Sequence, residues 1–472
     1  MTRRTIGMLA LLAALALGTS AQAAPDASAR ADALVRRAMS ERRIPGLQIA
    51  VVQDDRIVMS RAYGVADIAA GIPVTPQTVF PLNSITKAFT GVAALREVEA
   101  GRLDLSAPIG RYVGDLPQTW RGVTVERLLS HTSGLPNFVD NNGGGAIDEA
   151  AAWKETLTKP VRFPPGQRFD YSQTNYALVQ MAINGLRGRA ADATLAGEQI
   201  ALAGMTRTGY GDSRDAGPER AVSYGYRGAT PDQPAVRQEI FTPLHRAASG
   251  MNSTADDVAL WAIALRQGRL VGPSALKTLW TPVAYADGKP GQWGMGWLVQ
   301  DRPQHRVVGM TGGSRSAVYL YPDDRVAVVI LTNLAGATPE DLIDEIAQGF
   351  IPGMTLTGVS ALRAALADQE DRDPQIAVTR FVAAMPGFTA PEHELNDWGY
   401  RLLAFGKPRT ALAVLKLTAD LHPASGNAFD SLADAYEANG DKAAAIANYR
   451  RSLALDPTNR NAAQRLEKLS AP

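Results

Sequence analysis

The chain has 472 residues, 48 basic and 47 acidic side chains, a formal net charge of +1, and no cysteine. So balanced a charge gives no electrostatic case for nucleic acid or an anionic surface as partner. Without cysteine there is no disulfide and no lipid attachment at an N-terminal cysteine. The five histidines are scattered, with no His-Glu-x-x-His run, and no phosphate loop of the Gly-x-x-x-x-Gly-Lys-Ser/Thr kind occurs, so neither a metal nor any other cofactor is expected.

In chain order, Arg3-Arg4, an almost wholly apolar run from Ile6 to Leu17, and Ala21-Gln22-Ala23 before Ala24-Pro25 form the three parts of a secretory signal peptide. The expectation is cleavage after Ala23 and a periplasmic or secreted bacterial product without stable membrane insertion; an anchor is the lesser reading, because the run is short for a span. Leu47 to Val52 and Ile57 to Tyr63 flank Asp54-Asp55 and predict a β-hairpin. Arg325 to Leu331 predicts a buried strand. Between them lies a helix-rich middle with Gly/Pro loops, among them Asn141-Asn142-Gly143-Gly144-Gly145, with the pattern breaking near Pro352-Gly353.

Ser84-Ile85-Thr86-Lys87 is the segment that carries chemistry. On a helix, residues three apart share a face, so the Lys87 amine can reach the Ser84 hydroxyl. A serine hydroxyl is a weak nucleophile at neutral pH, and an amine of lowered pKa beside it is one remedy. Arginine cannot serve in that way, and only nine of the 48 basic residues are lysine. A second copy, Ser274-Ala275-Leu276-Lys277, follows Gly272-Pro273 and reads as a helix N-cap with a solvated lysine. The first copy opens instead into the apolar run Ala88 to Leu95, which places Ser84 at the start of a buried helix. His131 is read as structural, since the chain contains no Gly-x-Ser-x-Gly elbow.

Phe80-Pro81-Leu82-Asn83-Ser84-Ile85-Thr86-Lys87, Leu128 to Pro136 (LLSHTSGLP), Pro165 to Ser172 (PGQRFDYS) and Met310-Thr311-Gly312-Gly313-Ser314 resemble, in order, the signatures of the β-lactamase-related serine hydrolases. That family spans class C β-lactamases, D,D-peptidases, D-aminopeptidases and esterases. The resemblance covers roughly residues 30 to 350 and is more specific for fold than for substrate. It implies Ser84 as the acylated nucleophile, Lys87 as its proton-shuttling partner and Tyr171 as the second acid/base group. It also implies an oxyanion hole of the Ser84 and Gly313 backbone N–H groups, with Gln173, Met310, Thr311, Gly312 and Arg315 in contact with a small-molecule or peptide substrate. Two positions depart from the family pattern. Gln173 stands where relatives usually carry Asn, and Met310 stands where they carry Lys or His. Loss of that cation shifts the expected substrate from a β-lactam or D,D-peptide toward an ester or small amide, unless Arg315 or His305 supplies the charge.

The C-terminal segment repeats with a period of 34: Gly406 and Gly440, Ala411 and Ala445, Pro423 and Pro457, with Trp398 matched by Leu432 and Leu402 by Tyr436. That spacing resembles the tetratricopeptide repeat, a helical hairpin. The helix from about Asn459 to Leu469 is expected to cap one end, and Ser360 to Ala384 or the catalytic domain the other. A partner-binding groove and a stabilising appendage are both open readings. The expected architecture is an α/β (α+β) fold, an antiparallel β-lactamase-like sheet flanked by helices with a helical subdomain, followed by an all-α repeat module. Its bounds are 1–23 for the signal peptide, 24–352 for the hydrolase domain, 353–390 for a helical linker and 391–472 for the repeats. The leading function is a hydrolase acting through an acyl-enzyme; the alternative is a binding or regulatory protein with weakened turnover that works through its repeats.

Overall fold

The computed structural model describes residues 23–139, 148–188, 196–215, 219–226, 234–301, 304–367 and 373–470. The expected signal segment up to residue 22 and the Asn141–Gly145 loop lie outside them. A seven-stranded sheet is formed by β1 (Gly46–Gln53), β2 (Arg56–Asp67), β3 (Ile72–Pro73), β4 (Leu298–Asp301), β5 (Arg306–Gly312), β6 (Ser316–Tyr321) and β7 (Val326–Thr332), in the order β3-β2-β1-β7-β6-β5-β4. Every pairing is antiparallel. The β1–β2 turn is made by Asp54 and Asp55, both at positive φ, the turn form whose twist matches that of the strands it joins.

Side chains alternate across a strand, and here both faces are apolar. Along β7, Val326, Val328 and Ile330 join one core and Ala327, Val329 and Leu331 the other. The first core is closed by α1 (Ala23–Arg42), through Ala27, Ala31, Val35 and Ala38, and by the short helix Ile343–Gln348. Over the second face lies the larger helical body of α2 (Thr86–Glu99), α3 (Gln173–Arg187) and α4 (Ala255–Arg266). Helix α2 is buried at every residue from Thr86 to Leu95, and its apolar run from Ala88 to Leu95 lies inside the second core. Residues 353–390, expected to be a helical linker whose Ser360–Ala384 stretch could cover one end of the repeats, form α5 (Gly358–Ala367) and α6 (Pro374–Ala384), which share one core with α7 (Glu392–Ala404) and α8 (Pro408–Leu421). Helices α9 (Gly426–Ala438), α10 (Lys442–Leu455) and α11 (Arg460–Ser470) continue as a stack. No described helix is long and apolar enough to cross a membrane.

One buried carboxylate joins this helical stack to the sheet domain. Asp341, 1% exposed, meets Arg42 of α1 at 3.5 Å, Arg363 of α5 at 3.1 Å and Arg401 of α7 at 2.6 Å. Burial pushes its pKa up, but Arg363, Arg42 and Arg401 together outweigh that and hold it below the ordinary value. A depressed carboxylate contributes stability that is present at neutral pH and lost as pH falls through its folded pKa. Breaking a buried ion pair from one side leaves uncompensated charge. Asp341→Asn is therefore expected to cost about 3 kcal/mol, at the low end of the usual range because Arg401 is partly exposed. Urea denaturation at pH 7 measures it, and an unchanged midpoint would show that the clasp does not hold the two parts together.

Candidate active site

Ser84 lies in a 3-10 turn, Asn83–Ile85, immediately before α2, so it precedes the α-helix proper. The pair spans the end of that turn and the first turn of α2, and the Lys87 Nζ stands 3.4 Å from the Ser84 Oγ. Lys87 also donates to the Gln173 Oε1 at 2.8 Å and to the Ala248 carbonyl at 2.9 Å. Gln173 is the first residue of α3. Ala248 is carried in by a segment stitched to α2, where Thr86 Oγ1 accepts from the Gly250 and Met251 N–H groups and Thr90 donates to the Ala247 carbonyl. These partners of Lys87 are all neutral oxygens. Burial without a compensating carboxylate drives the Lys87 pKa well below its ordinary value, which favours the free amine. A free amine at this position can take the Ser84 proton.

Tyr171 comes from a loop before α3 and sits with its ring 4.6 Å from Lys87 Nζ. Burial raises its pKa strongly while a hydrogen bond with Ser84 opposes the rise, so the phenol keeps its proton at neutral pH. Behind it His131 packs ring to ring at 4.3 Å. The His131 Nδ1 accepts from the Ser172 backbone N–H at 3.2 Å and faces the Asn175 amide at 3.2 Å. Its proton is thereby placed on Nε2. Burial, and secondarily Lys87, lower its pKa well below the ordinary value, so His131 is a neutral wedge fixing the Tyr171 ring. Trp293, 5.9 Å from Tyr171 between ring centres, stacks on the half-exposed Phe169. These aromatic neighbours come from three separate segments, and the LLSHTSGLP and PGQRFDYS stretches were their only local signal.

The end of β5 forms the opposite wall. A Cβ at Gly312 would stand 1.9 Å from the Leu82 carbonyl oxygen and 3.1 Å from the Ser84 amide nitrogen, so the strand runs against the nucleophile turn itself. Gly313 follows at φ +56 in the tight turn to β6. Thr311 is half-buried on β5, and Met310, 2% exposed, packs into the core beside Val308 and Val318. Arg315, considered as a replacement cation, is 1% exposed and ion-paired with Glu239 at 3.0 Å. His305 is engaged by Asp324 at 2.9 Å. Thus the structure offers neither as an open counter-charge. Among the described residues no group of three or more His, Asp or Glu is placed to hold a metal ion.

An antiparallel sheet with a helical body over one face, and a half-buried serine within reach of a buried lysine, define a class, the β-lactamase fold. The chain belongs to the Beta-lactamase family, which it matches over residues 31–350. It is similar to Esterase EstB of Burkholderia gladioli, with 30% identity over 366 residues covering 65% of this chain and 91% of that protein. It is also similar to Protein flp of Staphylococcus aureus (strain NCTC 8325 / PS 47), 24% identical over 341 residues, covering 68% of this chain and 66% of that protein. The chain thus spans about two thirds of the length of the flp proteins. The octameric penicillin-binding protein homologue from Pyrococcus abyssi shares the fold, with a TM-score of 0.58 at 23% identity over 67% of this chain and 75% of that one.

The approach of β5 to the nucleophile turn generates a prediction. Gly312→Ala places a methyl group against backbone that cannot swing aside, so the strand must retreat from Ser84. A misplacement of about 1 Å in an active site lowers turnover roughly a hundredfold. Ester hydrolysis and near-UV circular dichroism, measured together, should show that loss in a folded protein; wild-type turnover would show that the strand does not bear on the chemistry.

Proposed function

We propose that the protein hydrolyses an ester or a small amide through an acyl-enzyme on Ser84. The observation that carries this reading is the Lys87 amine, buried among neutral oxygens and within reach of the Ser84 hydroxyl. Lys87 takes the Ser84 proton as Oγ attacks the acyl carbon. The backbone N–H groups of Ser84 and Gly313 receive the developing oxyanion, which is usually the largest electrostatic contribution to such chemistry. Tyr171, kept protonated by burial, returns a proton to the leaving group. Water then attacks the acyl-enzyme by the reverse path. With Met310 uncharged and packed in the core, and Arg315 internally paired, neither position offers a cation to a carboxylate-bearing substrate, which favours an ester or uncharged amide. The likeness to an esterase, at 30% identity, points the same way.

Beyond the hydrolase domain, the same reading takes α7 to α11 as a tetratricopeptide-like module able to receive a protein or peptide, supported by the 34-residue spacing. It takes the protein as secreted or periplasmic, supported by the leader-like sequence of its first 23 residues.

Two tests follow. A fluorophosphonate should add once to the wild-type chain by intact mass, while Ser84→Ala should lose both adduct and turnover and keep its fold; labelling retained in that variant would refute the nucleophile. Lys87→Arg should be inactive, since a guanidinium stays protonated. In the wild type the rate should fall as pH drops through the depressed Lys87 pKa, because the amine then gains the proton it must be free to accept. A third variant tests substrate class. Met310→Lys should raise activity toward a D-Ala-D-Ala peptide relative to an uncharged p-nitrophenyl ester by roughly tenfold to a hundredfold, the worth of one hydrogen bond to a charged group. An unchanged ratio in a folded variant would show that position 310 does not face the substrate carboxylate.

A further inference from the structure

The two amides assigned to the oxyanion hole lie on different parts of the chain, one in the single 3-10 turn Asn83–Ile85 and the other in the turn between β5 and β6. Ser84 follows Asn83, a non-glycine residue at φ +48, a left-handed conformation that asparagine tolerates better than most residues but still at some cost. Gly313 lies in the turn between β5 and β6, also at positive φ. An oxyanion hole works only if its donors are fixed before charge develops. Something must therefore hold these two turns in register.

A buried carboxylate is placed to do so. The Glu239 Oε1 accepts from Asn83 Nδ2 at 2.9 Å, and its Oε2 accepts from Arg315 at 3.0 Å and from the Ser223 hydroxyl at 3.0 Å. One side chain thus grips the residue just before Ser84 and the residue two after Gly313. The grip closes on the glycine itself. A Cβ at Gly313 would lie 3.1 Å from both Asn83 Cγ and Nδ2 and 3.4 Å from Arg315 Nε, so the Asn83 amide is laid against the Gly313 α-carbon. Glu239 is in turn anchored through its own backbone. Its N–H donates to Ser213 Oγ at 2.7 Å, and its carbonyl accepts from the Ser213 N–H at 2.8 Å.

We propose that Glu239 is a positioning residue for catalysis, a carboxylate clamp that fixes the Asn83–Ser84 turn against the Gly313–Arg315 turn and so sets the spacing of the two oxyanion-binding amides. This rests on the assignment of Ser84 and Gly313 under the proposed function. A carboxylate suits the task because both of its oxygens accept, so the Asn83 amide is held with its nitrogen toward Glu239 and the Arg315 guanidinium is neutralised in place. A glutamine has one accepting oxygen and one donating nitrogen. It leaves either Asn83 or Arg315 facing a donor, and it removes the charge that offsets Arg315.

The test compares wild type with Glu239→Gln, using a p-nitrophenyl ester for turnover and phenylboronic acid as a reversible tetrahedral adduct of Ser84. Loosening the hole should lower kcat by about 30-fold to 100-fold, somewhat less than outright removal of an oxyanion donor. KM should stay within about twofold, because the clamp acts on the transition state rather than on substrate binding. The boronate inhibition constant should rise by a similar factor to the loss in kcat. Asn83→Gly removes one arm of the clamp, keeps the positive φ at no steric cost and leaves the Glu239–Arg315 pair intact; it should show the same split with a smaller amplitude. This second variant decides the matter if Glu239→Gln does not fold. Loss of stability alone would leave kcat and boronate affinity unchanged below the melting temperature, and that result would overturn the proposal. So would a fall in kcat without weaker boronate binding. If the wild-type chain forms no Ser84 adduct with a fluorophosphonate, the assignment of the nucleophile fails and the clamp falls with it; an adduct in wild type together with unaltered kinetics in both variants overturns the clamp alone.

Discussion

The site depends on one unfavourable act of desolvation, the placement of an amine in the first turn of a buried helix with only neutral oxygens for company. An ammonium so placed is expensive, and the group responds by releasing its proton more easily. Everything around Lys87 maintains that condition. Helix α2 is buried through its first ten residues, the Ala247–Met251 segment is pinned to Thr86 and Thr90, and α3 brings the Gln173 carbonyl to the amine at its first turn. A carboxylate at position 173 would hold the proton on Lys87; an amide satisfies the amine without doing so. The longer Gln side chain, where relatives usually carry Asn, therefore changes reach more than chemistry.

Two levels of fixation surround this centre. Close in, His131 wedges the Tyr171 ring and Glu239 bridges the turns that carry Asn83 and Arg315. Further out, Asp341 ties the sheet domain to the helical stack through arginines from α1, α5 and α7. The two levels touch: the Thr338 side chain donates to Asp341, and the Thr338 N–H donates to the carbonyl of Ser314, next to Gly313. The helical stack is therefore connected by hydrogen bonds to the wall of the site, although none of its residues lies in that wall.

What was legible in the sequence is what chain-local geometry governs. The Ser84–Lys87 pair is three residues apart, so any helical turn brings it together. The β1–β2 hairpin follows from apolar runs about Asp54-Asp55, and a helix was foreseen at Asn459–Leu469 where α11 spans Arg460–Ser470. The short runs of motif around Tyr171 and Gly313 pointed to the other members of the site by resemblance, and the fold they implied is the one observed. Residues 353–390 read as a helical linker, with Ser360–Ala384 or the catalytic domain as the cover for the first repeat; amphipathic periodicity could not choose between them, and in the structure α5 and α6 share one core with α7 and α8.

The tertiary structure alone decided which charges are free. Arg315 stands five residues after Met310 and reads as a relocated cation, yet Glu239, 76 residues away along the chain, claims it inside the protein. No pattern in the sequence marks Glu239 or the Ala248 carbonyl as part of the site, because each acts through an atom whose partner is set by packing between distant segments. The same holds for the lowered pKa of Lys87: the residue and its spacing from Ser84 belong to the sequence, but the loss of water that turns an ordinary ammonium into a base exists only once α2, α3 and the Ala248 segment close around it.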